Sequence, residues 1–140
     1  MNPPRVLLAD DHRALFDRLS TLLQPTFEII GAVANGAELV SEALRLQPDV
    51  IVSDISMPVL NGIEAVHKLR EAGCSAKFIF LTLHQGVDFV NACLAEGASG
   101  YVAKLDMTTE LLPAIHEALS GRQFVSSSVS RHPQGGKKSA

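Results

Sequence analysis

Apolar residues in this chain fall into short blocks, and most of the blocks end on a polar or charged residue. Val6-Leu7-Leu8-Ala9 is continuous and apolar and closes on Asp10-Asp11. Leu15, Phe16, Leu19, Leu22 and Leu23 then recur at helical spacing as far as Pro25, which predicts an amphipathic helix with a proline stop. Phe27–Val33 reads as a less apolar strand, nearer an edge of a sheet. Asn35-Gly36 marks a turn, and Asn35 with Glu38 three residues on has the pattern of a helix start with a capping partner. Leu39, Val40, Ala43 and Leu44 supply that helix with a buried stripe, and Pro48-Asp49 ends it.

Val50-Ile51-Val52-Ser53-Asp54 comes next. It is short, β-branched and terminated by a carboxylate, as expected of a strand buried on both faces of a parallel sheet. A loop containing Pro58 runs to Asn61-Gly62, and Ile63, Val66 and Leu69 mark a helix closed near Gly73. Phe78-Ile79-Phe80-Leu81 is a strand ending at Thr82. Val87, Val90, Cys93 and Leu94 mark a helix stopped by Gly97 in a C-cap position. Tyr101-Val102-Ala103 is a short strand ending at Lys104, and Leu111, Leu112, Ile115, Ala118 and Leu119 mark a last helix closed by Gly121. Pro113 lies inside that pattern. A proline costs roughly 3 kcal/mol in a helix interior, so a loose first turn or a late helix start is expected.

Five strands alternating with five helices predict an α/β fold, a doubly wound five-stranded parallel sheet with helices on both faces. Residues 1–126 read as one domain. Residues 127–140 turn to Ser, Gly, Lys and Pro and read as a flexible polar tail or linker. The balance of 46% hydrophobic and 19% charged residues fits a globular domain with a sizeable core. A net charge of −3 argues against non-specific binding of nucleic acid or an anionic membrane. No apolar run approaches the roughly 20 residues of a membrane span, and Met1–Arg5 lack the apolar core of a signal peptide, so a cytoplasmic protein is expected. Cys74 and Cys93 lack metal-ligand spacing and read as packed thiols.

Strand ends in a parallel sheet share one edge, the edge where open α/β sheets bind ligands. That edge would collect Asp10, Asp11, Asp54, Thr82 and Lys104. The plain alternative is that strand ends turn polar on leaving the core, but the residue types here are as specific as the positions. Clustered carboxylates repel one another, and Mg²⁺ suits one or two carboxylates with waters and a phosphate oxygen. Beside it Asp54 can act as a nucleophile toward a phosphoryl group. Lys104 can neutralise a phosphoryl oxygen, and the Thr82 hydroxyl can donate to another. Together these make a site for phosphoryl transfer by positioning and charge.

Asp10-Asp11, Asp54, Met57-Pro58 with Gly62, Thr82, and Tyr101 three residues before Lys104 together resemble the receiver domain of two-component response regulators, over about residues 5–125. Asp10-Asp11-His12, Leu81-Thr82-Leu83-His84 and Ala118-Leu119-Ser120-Gly121-Arg122-Gln123-Phe124 resemble its NarL/FixJ-type subclass. The resemblance implies a flavodoxin-like strand order of 2-1-3-4-5. It implies Asp54 as phosphoacceptor, Asp11 as direct metal ligand, Asp10 as a ligand through water and the Ser56 backbone carbonyl as the third protein ligand. The cation implied is Mg²⁺, with Mn²⁺ able to substitute. Thr82 and Tyr101 would be the switch pair and Lys104 the phosphate-binding lysine. Ser56 and His84 would flank the attacking water and tune phosphate lifetime, although a solvated helix-start residue is the plainer reading of His84. His12 reads as a helix-start residue, and His67, His116 and His132 as surface residues. Phe89 would add to an apolar partner face.

The partners implied are a sensor histidine kinase or phosphotransfer protein and a phosphorylation-linked homodimer. No external turnover is expected beyond the domain's own phosphorylation and dephosphorylation. The subclass usually carries a helix-turn-helix output domain. These 140 residues contain none, so DNA binding is not expected of them. Leu105 stands where many receivers have proline, and Leu83 where small residues are frequent, a place from which it would crowd the site. Two rival functions have distinguishing signs. An aspartate-nucleophile phosphatase wants Asp-x-Asp, and Ser56 occupies the second place. A phosphate-independent binding module would not need the acid set.

Overall fold

The structure, a computed structural model, describes residues 2–83 and 87–130. Strands β1 (Arg5–Ala9), β2 (Glu28–Val33), β3 (Val50–Ser53), β4 (Lys77–Thr82) and β5 (Gly100–Ala103) alternate with helices α1 (Ala14–Leu23), α2 (Gly36–Leu46), α3 (Gly62–Glu71), α4 (Val87–Ala95) and α5 (Met107–Leu119). A two-residue strand β6 (Phe124–Val125) and a short helix α6 (Ser127–Ser130) follow. The sheet is parallel throughout, in the order β2-β1-β3-β4-β5-β6. It therefore has six strands where five are expected. Phe124 and Val125 are too short a run to stand out by alternation, yet they pair with Gly100 and Tyr101.

Alternation along the central strands divides the core in two. Leu7, Ala9, Ile51, Phe78, Phe80 and Tyr101 point to the layer of α2, α3 and α4, where they meet Leu39, Ala43, Val66, Leu69 and Cys93. Val6, Leu8, Val50, Val52, Ile79, Leu81 and Val102 point to the layer of α1 and α5, against Leu19, Leu23, Leu111, Ala114, Ile115 and Ala118. Residues buried on both faces explain why these strands read as unbroken apolar runs. β2 lies at an edge and is only partly buried, as its weaker pattern predicts. Leu44 departs from the expected α2 stripe: it is exposed, and Leu46 packs on the core instead.

Asn35 caps α2, accepting the Glu38 N–H, while Glu38 accepts the Ala34 N–H. Asn61 and Glu64 form a full capping box at α3. Both Asn-Gly pairs are thus helix starts. A Cβ at Gly36 would collide with the Leu60 carbonyl, and one at Gly62 with the Asp54 carbonyl, so the loop after β3 closes only over glycine.

The expected late start of the last helix is not found. Pro113 sits inside α5, which begins at Met107 after a 3-10 turn over Lys104–Asp106. The tight turn precedes the helix and does not replace its first turn. Cys93 is buried, and burial pushes its thiol pKa up to about 12, as for a packed, unreactive thiol.

Candidate functional site

Backbone pairing sets the site. The Asp10 N–H donates to the Val33 carbonyl at 3.0 Å, and the Asp54 N–H to the Ala9 carbonyl at 2.9 Å. Both aspartates therefore leave the sheet at its carboxyl edge. Ala9 lies beside Ser53, Ser53 beside Phe80, and Thr82 beside Ala103. Asp10, Asp54, Thr82 and Lys104 consequently emerge at adjacent strand ends.

Lys104 Nζ lies 2.8 Å from Asp10 Oδ2 and 3.1 Å from Asp54 Oδ2. All three side chains are nearly shielded, at 11%, 3% and 6% exposure respectively. Burial works against the ammonium charge, but hydrogen bonds and attraction from Asp10 and Asp54 outweigh it and hold Lys104 above the ordinary lysine range. The second oxygen of each acid is also engaged. Asp54 Oδ1 accepts the Ile55 N–H at 2.7 Å and the Ser56 N–H at 3.4 Å. Asp10 Oδ1 accepts the His12 N–H at 2.8 Å.

A cleft of about 200 Å³ opens beside these groups, lined by Asp11, His12, Asp54, Ser56, Thr82 and Leu83. Asp10, Asp11, His12 and Asp54 each bring one ligand atom to within 4.8 Å of the others. Three carboxylates with one bridging ammonium retain excess negative charge, and oxygen donors so close together suit a hard divalent cation. Ser56 of the cleft belongs to the loop after β3. In it the Leu60 N–H donates to the Pro58 carbonyl at 2.8 Å across Val59, whose φ is +70°. This is a γ-turn of the strained kind, held by a β-branched residue.

The other expected residues are placed as follows. Tyr101 is fully buried with Phe78, Phe80 and Cys93 in the layer of α4. Burial pushes its phenol pKa up, and the charges of Cys93 and Asp54 add to this. β6 lies outside β5, so the Tyr101 ring does not cover a sheet edge. Leu83 is exposed at the mouth of the cleft, and Leu105 is exposed in the turn after Lys104. His84, the side chains of Val87 and Phe89, and residues 131–140 lie outside the described residues.

His67 and His116 are exposed, as expected of surface residues, but each has a partner. His67 bridges Glu71 and Glu96, and His116 packs its ring on Phe27 at 5.3 Å. His12, read from the sequence as a helix-start residue, also borders the acid cluster. Its Nδ1 sits between Asp10 and Asp11, and position next to an acid pair was the only available signal.

Residues 6–116 match the response regulator receiver domain. The chain is 33% identical over 129 residues to the nitrate/nitrite response regulator protein NarL of Escherichia coli K12, covering 91% of this chain and 60% of that protein. It is 34% identical over 129 residues to the transcriptional regulatory protein MctR of Rhizobium johnstonii, covering 89% and 59%. The chain thus spans about three fifths of the length of these curated relatives. Among solved structures it is similar to a LuxR-family two-component response regulator from Aurantimonas, with a TM-score of 0.88, 30% identity and coverage of 93% and 94%. It is also similar to the isolated receiver domain of RcsB from Salmonella enterica serovar Typhimurium in the presence of phosphomimetic BeF3⁻, with a TM-score of 0.84, 26% identity and coverage of 93% and 98%. With the fold, the acid cleft and the match across residues 6–116 in agreement, the chain belongs to the response regulator receiver family and is similar to its NarL-type members.

Proposed function

We propose that this domain accepts a phosphoryl group on Asp54 from a histidine kinase or phosphotransfer protein and passes the change to a partner or an output domain. The observation that carries the reading is the Lys104 bridge between Asp10 and Asp54. It fixes the Asp54 carboxylate at the cleft and leaves a cation beside the place a phosphoryl group would occupy. Asp11, Asp54 and the Ser56 carbonyl would hold Mg²⁺ or Mn²⁺, with Asp10 acting through water. When bound, that ion supplies charge neutralisation for the phosphoryl oxygens.

In the transfer an Asp54 oxygen attacks phosphorus, the phosphorus–nitrogen bond of the donor phosphohistidine breaks, and the imidazole leaves with the bonding pair. Lys104 then exchanges a carboxylate oxygen for a phosphoryl oxygen, and the Thr82 hydroxyl donates to another. Ser56 lines the water's approach, the role His84 would share. Tyr101 is already inside the core, so a Thr82–Tyr101 switch would act by repacking within the α4 layer and not by drawing a ring in from solvent. A modification acts at a distance only by biasing such a two-state element, here the β4–α4 connection, α4 and β5. The output would be a homodimer or a changed partner surface. Output activity of a longer chain, transcription regulation included, would lie outside the 140 residues. No turnover of external phosphate esters is expected.

The test is incubation with acetyl phosphate, or with beryllofluoride, in Mg²⁺, read by intact mass and by size-exclusion. One phosphoryl adduct lost in Asp54→Asn supports the reading; no adduct in wild type sinks it. Full partner binding by Asp54→Ala would favour a phosphate-independent binding module.

A further inference from the structure

We propose that His12 is a nitrogen donor to the cation of this site and shifts its preference from Mg²⁺ toward transition ions such as Co²⁺; the proposal rests on the phosphoacceptor reading above. His12 Nδ1 lies 3.0 Å from Asp10 Oδ1 and 3.1 Å from Asp11 Oδ1. A six-coordinate ion with bonds of about 2.1 Å has neighbouring ligand atoms about 3.0 Å apart, the edge of the octahedron. Nδ1 already has that spacing from Asp11 Oδ1, the direct ligand in the reading above. Asp54 brings a further oxygen into the same group, all within 4.8 Å.

The approach side agrees. Lys104 takes Oδ2 of both Asp10 and Asp54, while Asp11 and His12 line the cleft. The His12 backbone is tied down by its N–H bond to Asp10 Oδ1, while the ring is 67% exposed. The ring therefore adjusts by rotation about its own side-chain bonds without disturbing the fold. Without an ion Nδ1–H donates to the Asp10 and Asp11 carboxylate oxygens; when an ion takes that place the ring keeps its proton on Nε2 instead and Nδ1 offers a lone pair. Mg²⁺ keeps oxygen ligands and sheds water reluctantly, so it gains little from that lone pair. Imidazole favours later first-row ions, whose affinity already rises along the series. The choice of ion is therefore set partly by a residue outside the acid set.

The experiment titrates wild type, His12→Ala, Asp11→Asn and His67→Ala with Mg²⁺ alone and Co²⁺ alone by calorimetry. Proton NMR of the Co²⁺ form accompanies it. His12→Ala is expected to weaken Co²⁺ binding roughly tenfold while Mg²⁺ binding changes less than about twofold. An exchangeable imidazole N–H resonance shifted by Co²⁺ is expected in wild type and absent from His12→Ala. Equal changes for both ions in His12→Ala would overturn the proposal, as would Co²⁺ binding that falls in His67→Ala instead. Failure of the underlying reading looks different: wild type binds neither ion, or Asp11→Asn binds both as wild type does.

Discussion

Lys104 Nζ and Asp54 Oδ2 lie 3.1 Å apart although fifty residues separate them in the chain. The contact exists because β3 and β5 end at the same edge of a parallel sheet, with β4 between them. The same ammonium also holds Asp10. Removing it leaves two shielded acids facing each other, a change that destabilises far more than loss of a surface pair.

Lys104→Met should therefore lower the free energy of unfolding at neutral pH by about 3 kcal/mol. Mg²⁺ should recover part of the loss in the variant, because it supplies the missing positive charge. Urea denaturation with and without Mg²⁺ checks both points. The sign with pH is fixed by the raised folded-state value of Lys104. Its contribution is complete below the unfolded lysine value of about 10.4 and is lost as pH rises through the higher folded value. Alkaline denaturation should thus be steeper in wild type than in Lys104→Met.

Val59 is 81% exposed and holds a φ of +70°. No packing is lost by removing its side chain, and a β-branched residue there strains the backbone. Val59→Gly should stabilise the domain by about 1 kcal/mol, the strain relieved outweighing the extra freedom of glycine in the unfolded chain. Thermal melting checks this. A lower midpoint would mean that the loop tolerates Val59 without strain.

Ser126 is fully buried where β6 gives way to α6. Its hydroxyl accepts the Ala103 N–H at 2.9 Å and donates to Glu110. Ser127 also donates to Glu110, and Ser128 to Asp106, so the described chain past residue 126 is tied to α5 and to the turn before it. Ser126→Ala leaves the Ala103 N–H without that acceptor and should cost about 2 kcal/mol. Hydrogen exchange at the Ala103 amide, next to Lys104, should accelerate in the variant while β1 amides stay protected.

The strand-end chemistry was legible because parallel pairing turns sequence order into spatial order. Asp10, Asp54, Thr82 and Lys104 needed no tertiary information beyond the alternation of strands and helices. Other features depend on geometry that no local pattern carries. β6 is two residues long and exists because β5 offers it an edge. The His12 ring position depends on how the chain turns between Asp11 and α1. Asn61-Gly62 reads as the end of a loop, yet with Glu64 Asn61 caps α3, and the signal was the same Asn-x-x-Glu spacing seen at Asn35. Leu44 shows the reverse error: periodicity assigns it to the stripe, and the position of α2 on the sheet turns it outward.

Leu83 is 67% exposed at the mouth of the acid cleft. Shortening it removes bulk from the approach and little from the core. Leu83→Ala should raise the rate of phosphorylation by acetyl phosphate about threefold, with stability within about 0.5 kcal/mol of wild type. Intact-mass time courses measure the rate. An unchanged rate would show that the side chain stands clear of the donor's path.

His67 ties α3 to the end of α4, with Nδ1 3.0 Å from Glu96 and Nε2 3.3 Å from Glu71. Glu64 and Lys68 of α3 line the same groove. The Glu96 hydrogen bond, followed by the charges of Glu71 and Glu96, raises the His67 pKa above its ordinary 6.5. A raised folded value means the clasp stabilises below the unfolded value and fades as pH climbs through the folded one. The stability difference between wild type and His67→Ala should therefore be larger at pH 5.5 than at pH 8.5, and added salt should shrink it because the groups are exposed. Denaturation midpoints of the two proteins at both pH values decide it, and a difference independent of pH would mean that the imidazole acts by packing alone.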